Sequence, residues 1–116
     1  MKTAMVRYRV KAECAAENEQ AIVEVFAQLH RDRPQGLRYA SFKLDDGVSF
    51  VHIVSFEGAG RSALMELPAF RAFIAGVKQR CEQQPVSVDM NPVGSYAADA
   101  AAAPLNEAAS AEQAYE

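Results

Sequence analysis

Leu37-Arg38-Tyr39-Ala40-Ser41-Phe42-Lys43-Leu44-Asp45-Asp46-Gly47-Val48-Ser49-Phe50-Val51-His52-Ile53-Val54-Ser55-Phe56 is the stretch on which the fold turns. Two runs rich in β-branched and aromatic residues flank Asp45-Asp46-Gly47, and an Asp-Gly pair accepts the positive φ angles of a tight hairpin turn. With Asp46 and Gly47 at its centre, Ser41 pairs with His52, Tyr39 with Val54 and Leu37 with Phe56. Paired residues share a face. Leu37, Tyr39, Ser41, Phe50, His52, Val54 and Phe56 therefore lie on one side, and Ala40, Phe42, Val51 and Ile53 on the other. A turn one residue longer would flip the second strand and take Tyr39 and Ser41 out of this group.

Upstream, Val6, Tyr8 and Val10 alternate with Arg7, Arg9 and Lys11, which predicts a strand over 5–11. Residues 13–19 open a helix with Asn18 as its N-cap, and Ile22, Val25, Phe26 and Leu29 share one helical face. Pro34 and Gly36 stop it near Arg31. Downstream, Gly58-Ala59-Gly60 breaks the hairpin strand and residues 62–67 read as a short helical turn. Pro68 suits the first position of the next helix, where its missing N–H has no helical partner to lose. Phe70, Phe73, Ile74, Val77 and Cys81 form that helix's apolar face and Pro85 ends it. Val86, Val88 and Met90 alternate in a last strand running towards Tyr96.

The order is thus βαββαβ, an α+β, ferredoxin-like arrangement with a four-stranded antiparallel sheet and two helices on one face. A single layer of helices covers one side of the sheet. Val51, Ile53, Ala40 and Phe42 on the other side call for a second copy packed sheet against sheet, a homodimer.

The 116 residues fit one domain, half apolar and 23% charged, with a formal net charge of -3. All 12 Lys and Arg lie in residues 1–96, which leaves that stretch nearly neutral and without a basic stripe for nucleic acid. No apolar run approaches the roughly 20 residues that span a bilayer. Arg7 and Arg9 precede any signal-like segment, so the expected location is the cytoplasm, with no membrane partner. Cys14 and Cys81 lack metal-ligand spacing and read as free thiols packed at helix ends. Half of the residues from 97 to 116 are alanine. The expected division is a domain over 1–96 and an Ala-rich, disordered tail over 97–116.

Chemistry-bearing residues collect on the helix-facing side. Tyr8, Tyr39, Ser41 and His52 are expected to line a cleft walled by Phe26, Phe50, Phe56, Phe70 and Phe73. Imidazole suits proton transfer near neutral pH and a tyrosine hydroxyl is a fitting partner, so His52 and Tyr8 are the candidate catalytic pair. The blander readings of the same His52 are a buried histidine with a structural tyrosine hydrogen bond, which comes first, and a ligand contact. His30 reads as a solvated residue near a helix C-terminus. Arg7 and Arg9 face the proposed partner sheet, with Asp89 or Glu57 as candidate counter-charges or water at the rim. Asp45 and Asp46 read as turn formers. No metal cluster, phosphate loop or nucleophile elbow is present in the sequence.

Tyr8-Arg9-Val10-Lys11, Pro34-Gln35-Gly36-Leu37-Arg38-Tyr39, Phe50-Val51-His52-Ile53-Val54-Ser55-Phe56-Glu57 and Leu67-Pro68-Ala69-Phe70-Arg71-Ala72-Phe73 occur in that order. Together they resemble the dimeric α+β barrel superfamily, specifically proteins similar to the antibiotic biosynthesis monooxygenases. The resemblance implies a barrel formed by two sheets and a ligand cavity between sheet and helices in each protomer. It also implies oxidation of an aromatic substrate without a bound cofactor. Family members often place a tryptophan near the end of the third strand, where this chain has Phe56. Haem-degrading relatives carry a histidine where this chain has Leu67-Pro68, so the resemblance brings no haem ligand. Two readings stay open: a small cofactor-independent monooxygenase-like enzyme for an aromatic or polyketide-like molecule, and a non-catalytic binding or structural homodimer. A cavity of a few hundred Å³ reaching His52 would favour the first or a binder.

Overall fold

A computed structural model describes residues 1–98. Its elements are β1 (Lys2–Val10), α1 (Ala15–Asp32), β2 (Leu37–Lys43), β3 (Ser49–Phe56), α2 (Gly60–Glu66), α3 (Pro68–Arg80) and β4 (Cys81–Met90). A single 3-10 turn, Ala12–Cys14, precedes α1. The four strands form one antiparallel sheet in the order β2-β3-β1-β4. The chain is α+β and ferredoxin-like, as the alternation requires. From residue 99 on, the alanine-rich segment lies outside the described residues.

The hairpin register is the one read from the sequence: Ser41 faces His52, Tyr39 faces Val54 and Leu37 faces Phe56. The turn that produces it is wider than expected. The Gly47 amide donates to the Leu44 carbonyl, so Asp45 and Asp46 occupy the centre and Gly47 follows at φ 78°. One extra residue on each strand preserves the parity, and every side chain keeps its face. Asp46 fixes the turn by accepting from the amides of Val48 and Ser49 and from the Ser49 hydroxyl. The Ser49 hydroxyl, with the two amides behind it, holds the Asp46 carboxyl below the usual carboxylate range.

Two boundaries differ from expectation. Pro85 does not end a helix: α3 stops at Arg80, Cys81 starts β4, and Pro85 lies within that strand. β4 is an edge strand, and its pairing with β1 slips between Arg7 and Arg9 and again between Arg9 and Val10. An edge strand with bulges is where a residue lacking N–H is tolerated. Asn18 is not an N-cap either. The helix starts three residues earlier, and Asn18 is buried within its first turn.

Tyr8, Val10, Val25, Phe50, Val54, Leu64, Leu67, Phe70, Phe73, Val77 and Cys81 form the core, all between the sheet and the helices. Gly36 and Gly60 bring β2 against the start of α2. A Cβ on either would collide with backbone, of Glu57 for the first and of Gly36 for the second. Among the described residues no helix is long and apolar enough to cross a membrane.

No element among the described residues covers the other face of the sheet. Met5, Ile53, Val88 and Ala40 sit side by side across the four strands, followed by Val51 and Phe42, with Val86 and Val88 on β4 largely exposed. Arg9 on this side pairs with Glu82 at 3.3 Å, not with Asp89 or Glu57, because the β4 bulge brings Glu82 into reach. Asp89 pairs instead with Lys2 at 3.8 Å. Both pairs are solvated and worth little to stability.

Candidate functional site

Three strands place four residues at the centre of the covered face: Tyr8 from β1, His52 from β3, and Tyr39 with Ser41 from β2. His52 is 4% exposed and makes three hydrogen bonds. Its Nε2 lies 2.8 Å from the Tyr8 hydroxyl. Its Nδ1 lies 2.7 Å from the Ser41 hydroxyl and 3.2 Å from that of Tyr39. The Tyr8 ring is stacked on both Phe50 and His52 at 13° between planes.

Two residues outside the strands complete the network. The Asn18 amide donates to the Tyr8 oxygen at 2.9 Å, and Arg80 Nε donates to Asn18 Oδ1 at 2.9 Å. Arg80 is 7% exposed, and its guanidinium lies 5.6 Å from the Phe73 ring centroid. Its Nη1 stands 3.8 Å from the Glu17 carboxylate, while Nη2 is buried with no partner. Gly76 gives it room, since a Cβ there would strike Nη1. Pattern marks Asn18 as a helix cap and gives Arg80 no site role, so neither is a site residue by sequence. An asparagine near a helix start reads as a cap, and an arginine in a last turn reads as a dipole partner.

Burial governs the electrostatics. It lowers the His52 pKa to about 4, so the ring is neutral at physiological pH. It raises Tyr8 to about 12, against the Asn18 hydrogen bond that pulls the other way. Burial also lifts Tyr39 above the ordinary phenol range, as does the neighbouring Tyr8, with a hydrogen bond from Ser41 opposing. No carboxylate touches His52 among the described residues, so nothing there favours a second proton on its ring.

A cavity of about 490 Å³ opens onto this cluster between the sheet and α2 and α3. Tyr8, Tyr39 and His52 lie on its wall together with Phe56, Phe70 and Phe73, and Lys2, Glu57, Arg61 and Asp89 also border it. Three residues expected in the cleft stand elsewhere. Phe50 is 1% exposed beneath Tyr8 as core. Phe26 packs on Tyr39 at 5.4 Å between centroids and lines a separate groove of about 650 Å³ between α1 and β2. Ser41 also borders that groove and contacts His52 at Nδ1, the nitrogen remote from Tyr8. Tyr39 borders both spaces. His30 is exposed in the last turn of α1, beside the groove. Cys14 and Cys81 are free thiols at the N-cap of α1 and the C-cap of α3, the second with its pKa raised by burial.

No protein-family model matches the sequence, and neither does any curated protein. Solved structures do resemble it. An antibiotic biosynthesis monooxygenase superimposes with a TM-score of 0.68 at 19% identity, covering 81% of this chain and 100% of the other. Rv0793 from Mycobacterium tuberculosis gives 0.65 at 13% identity, covering 83% and 98%. A variant of SnoaB, a cofactor-independent oxygenase from Streptomyces nogalater, gives 0.61 at 18% identity, covering 81% and 94%. At such identities the likeness speaks for backbone architecture. The chain has the protomer fold of the antibiotic biosynthesis monooxygenase structures.

Proposed function

We propose that the protein is a cofactor-independent oxygenase acting on a planar aromatic or polyketide-like molecule held in the cavity beside His52. The observation that carries this reading is the cavity itself: about 490 Å³, walled by phenylalanines, and ending on a buried Tyr8–His52–Tyr39 cluster. That is a volume and a polarity for a molecule of a few fused rings. The likeness to SnoaB and its neighbours points the same way.

In such a reaction the substrate supplies the electrons. A ring CH₂ made acidic by a conjugated phenol or ketone loses a proton, and the carbanion passes an electron to O₂. The radical pair combines into a hydroperoxide, which loses water. The net change is CH₂ + O₂ → C=O + H₂O. This chain's part is to hold the rings against Phe56, Phe70 and Phe73 and to hydrogen-bond the substrate oxygen on which negative charge grows.

A second copy completes the working unit. The bare face presents Met5, Ala40, Phe42, Val51, Ile53, Val86 and Val88 as one apolar surface, and a second copy would meet it with the same surface. The working domain is residues 1–96, and the two free thiols suit a reducing cytoplasm.

One observation favours a different reading. A His52 with a pKa of about 4 is a weak base, which fits a ligand-binding homodimer without catalysis. Oxygen uptake with polycyclic quinols and phenols separates the two. The oxygenase consumes oxygen, and His52→Ala and Tyr8→Phe each lower the rate by roughly 10²-fold or more. Equal uptake by wild type and both variants removes these residues from the mechanism. Binding without uptake decides for the binder.

A further inference from the structure

The hydrogen-bond network has a direction, and Arg80 sets it. Arginine carries only donors, so the atom of Asn18 facing its Nε is the carbonyl oxygen. That settles the amide orientation, which heavy-atom positions alone leave open. Asn18 Nδ2 must then donate to Tyr8, and the Tyr8 oxygen is an acceptor on that side.

Tyr8 has one hydrogen left to place. Its remaining partner is His52 Nε2 at 2.8 Å. Were Nε2 protonated, it too would donate to Tyr8, and the hydrogen of a phenol 5% exposed would lack an acceptor. With Nε2 bare, Tyr8 donates to it, Nδ1 carries the ring proton, and that proton meets Ser41 Oγ at 2.7 Å. The Tyr39 hydroxyl lies 3.2 Å from the same protonated nitrogen and can only accept there. The Tyr39 hydrogen is then left free for another acceptor, and Tyr39 is more exposed than Tyr8 and borders the cavity. Electrostatics favours the same sense, because every dipole in the chain turns its negative end towards the buried guanidinium. Successive hydrogen bonds of one sense also strengthen each other.

We propose that Arg80, acting through Asn18, Tyr8 and His52, makes the Tyr39 hydroxyl a hydrogen-bond donor to the cavity's ligand. The ligand then presents an acceptor, a carbonyl or phenolate oxygen, to Tyr39, and not a hydroxyl or N–H. Arg80 and Asn18 are positioning residues in this scheme. The inference rests on the cavity reading above for its ligand and on the internal geometry alone for its direction.

The two parts are tested separately. In protein labelled with 15N-histidine, long-range 1H–15N spectra report the tautomer of His52, with His30→Gln assigning the other of the two histidines. The expected state is Nδ1–H. Asn18→Asp replaces the amide with a group that only accepts. Tyr8 then donates to the carboxylate, Nε2–H donates to Tyr8, and the tautomer flips to Nε2–H, a change that loss of packing alone would not produce. Wild-type His52 protonated on Nε2 overturns the inference, and that measurement suffices if the variant does not fold.

The second part uses three tricyclic probes of one shape: 9-fluorenone with an acceptor, fluorene with neither group, and carbazole with a donor. Fluorenone should bind about fivefold more tightly than fluorene, an advantage abolished by Tyr39→Phe. Carbazole preferred over fluorenone by the wild type overturns the inference. If none of the three binds, the cavity reading and the proposed donation to a ligand both fail, and the spectra still decide the direction of the chain.

Discussion

The sheet shows two faces built from the same four strands and finished in different ways. On the covered face Tyr8, Phe50, His52 and Val54 are at most 8% exposed, and their polar atoms are tied into a network. On the open face Val86 and Val88 are 51% and 43% exposed, and no element among the described residues lies over them. Alternation along a strand sorts residues between faces with equal force on both sides. It does not tell what will cover either one. The covered face took its apolar lid from α1, α2 and α3 and its polar partners from α1 and α3. Among the described residues nothing supplies either to the open face.

The sharpest way to break this comparison is to put a charge on the open face. Ile53 lies at its centre, paired with Met5 and Ala40. In the proposed homodimer Ile53→Glu buries two unpaired carboxylates, one from each copy. The expected cost is about 3–5 kcal/mol of association, or more than about 100-fold in the dimer dissociation constant. Sedimentation equilibrium measures it. Because His52 faces the other way, its tautomer and the probe binding should be unchanged in the monomer. A wild-type protein that is monomeric at every concentration rejects the dimer outright.

Less of the covered face than of the open one was legible in the sequence. Val51, Ile53, Ala40 and Phe42 needed only the hairpin parity, and Asp-Gly supplied it even though the turn proved to be four residues and not two. The same parity placed Tyr39, Ser41 and His52 together. What escaped was every contact between elements. Asn18 near a helix start and Arg80 at a helix end each have a sufficient local explanation, and only packing shows that both are buried and joined. Phe26 and Phe50 are at strand and helix positions that point inward, but pattern cannot tell a cavity wall from core or from a neighbouring groove. Pro85 was misread because a proline that stops a helix and one that sits in a bulged edge strand look the same in one dimension.

Acid sharpens the comparison from the covered side. His52 titrates near 6.5 when unfolded and near 4 when folded, so between those values the unfolded chain binds the extra proton. Stability rises with pH wherever the unfolded state binds more protons. The contribution of neutral His52 is therefore fully present above pH 6.5 and is lost as pH falls towards 4, by about 3 kcal/mol in all. Urea unfolding across that range should show the slope in wild type and a flatter one in His52→Asn, in which carboxylate titration remains. Parallel slopes would mean that His52 is not held neutral.

The smallest effect is the most specific to the network. Gly76 lies in the middle of α3, where replacing glycine with alanine ordinarily stabilises a helix by about 0.5–1 kcal/mol. Here the added Cβ strikes Arg80 Nη1, and Arg80 must move. Its charge-assisted bond to Asn18 contributes about 1.5–3 kcal/mol, and part of that is lost while the helix gains its usual increment. Gly76→Ala should thus come out destabilising by about 1 kcal/mol, the reverse of the helix rule, in the midpoint of urea unfolding. With Arg80→Met in the background the guanidinium is gone, and the same substitution should return to its ordinary stabilising sign. A stabilising Gly76→Ala in the wild type would show that Arg80 can leave Asn18 at no cost. The network would then have no fixed inner end.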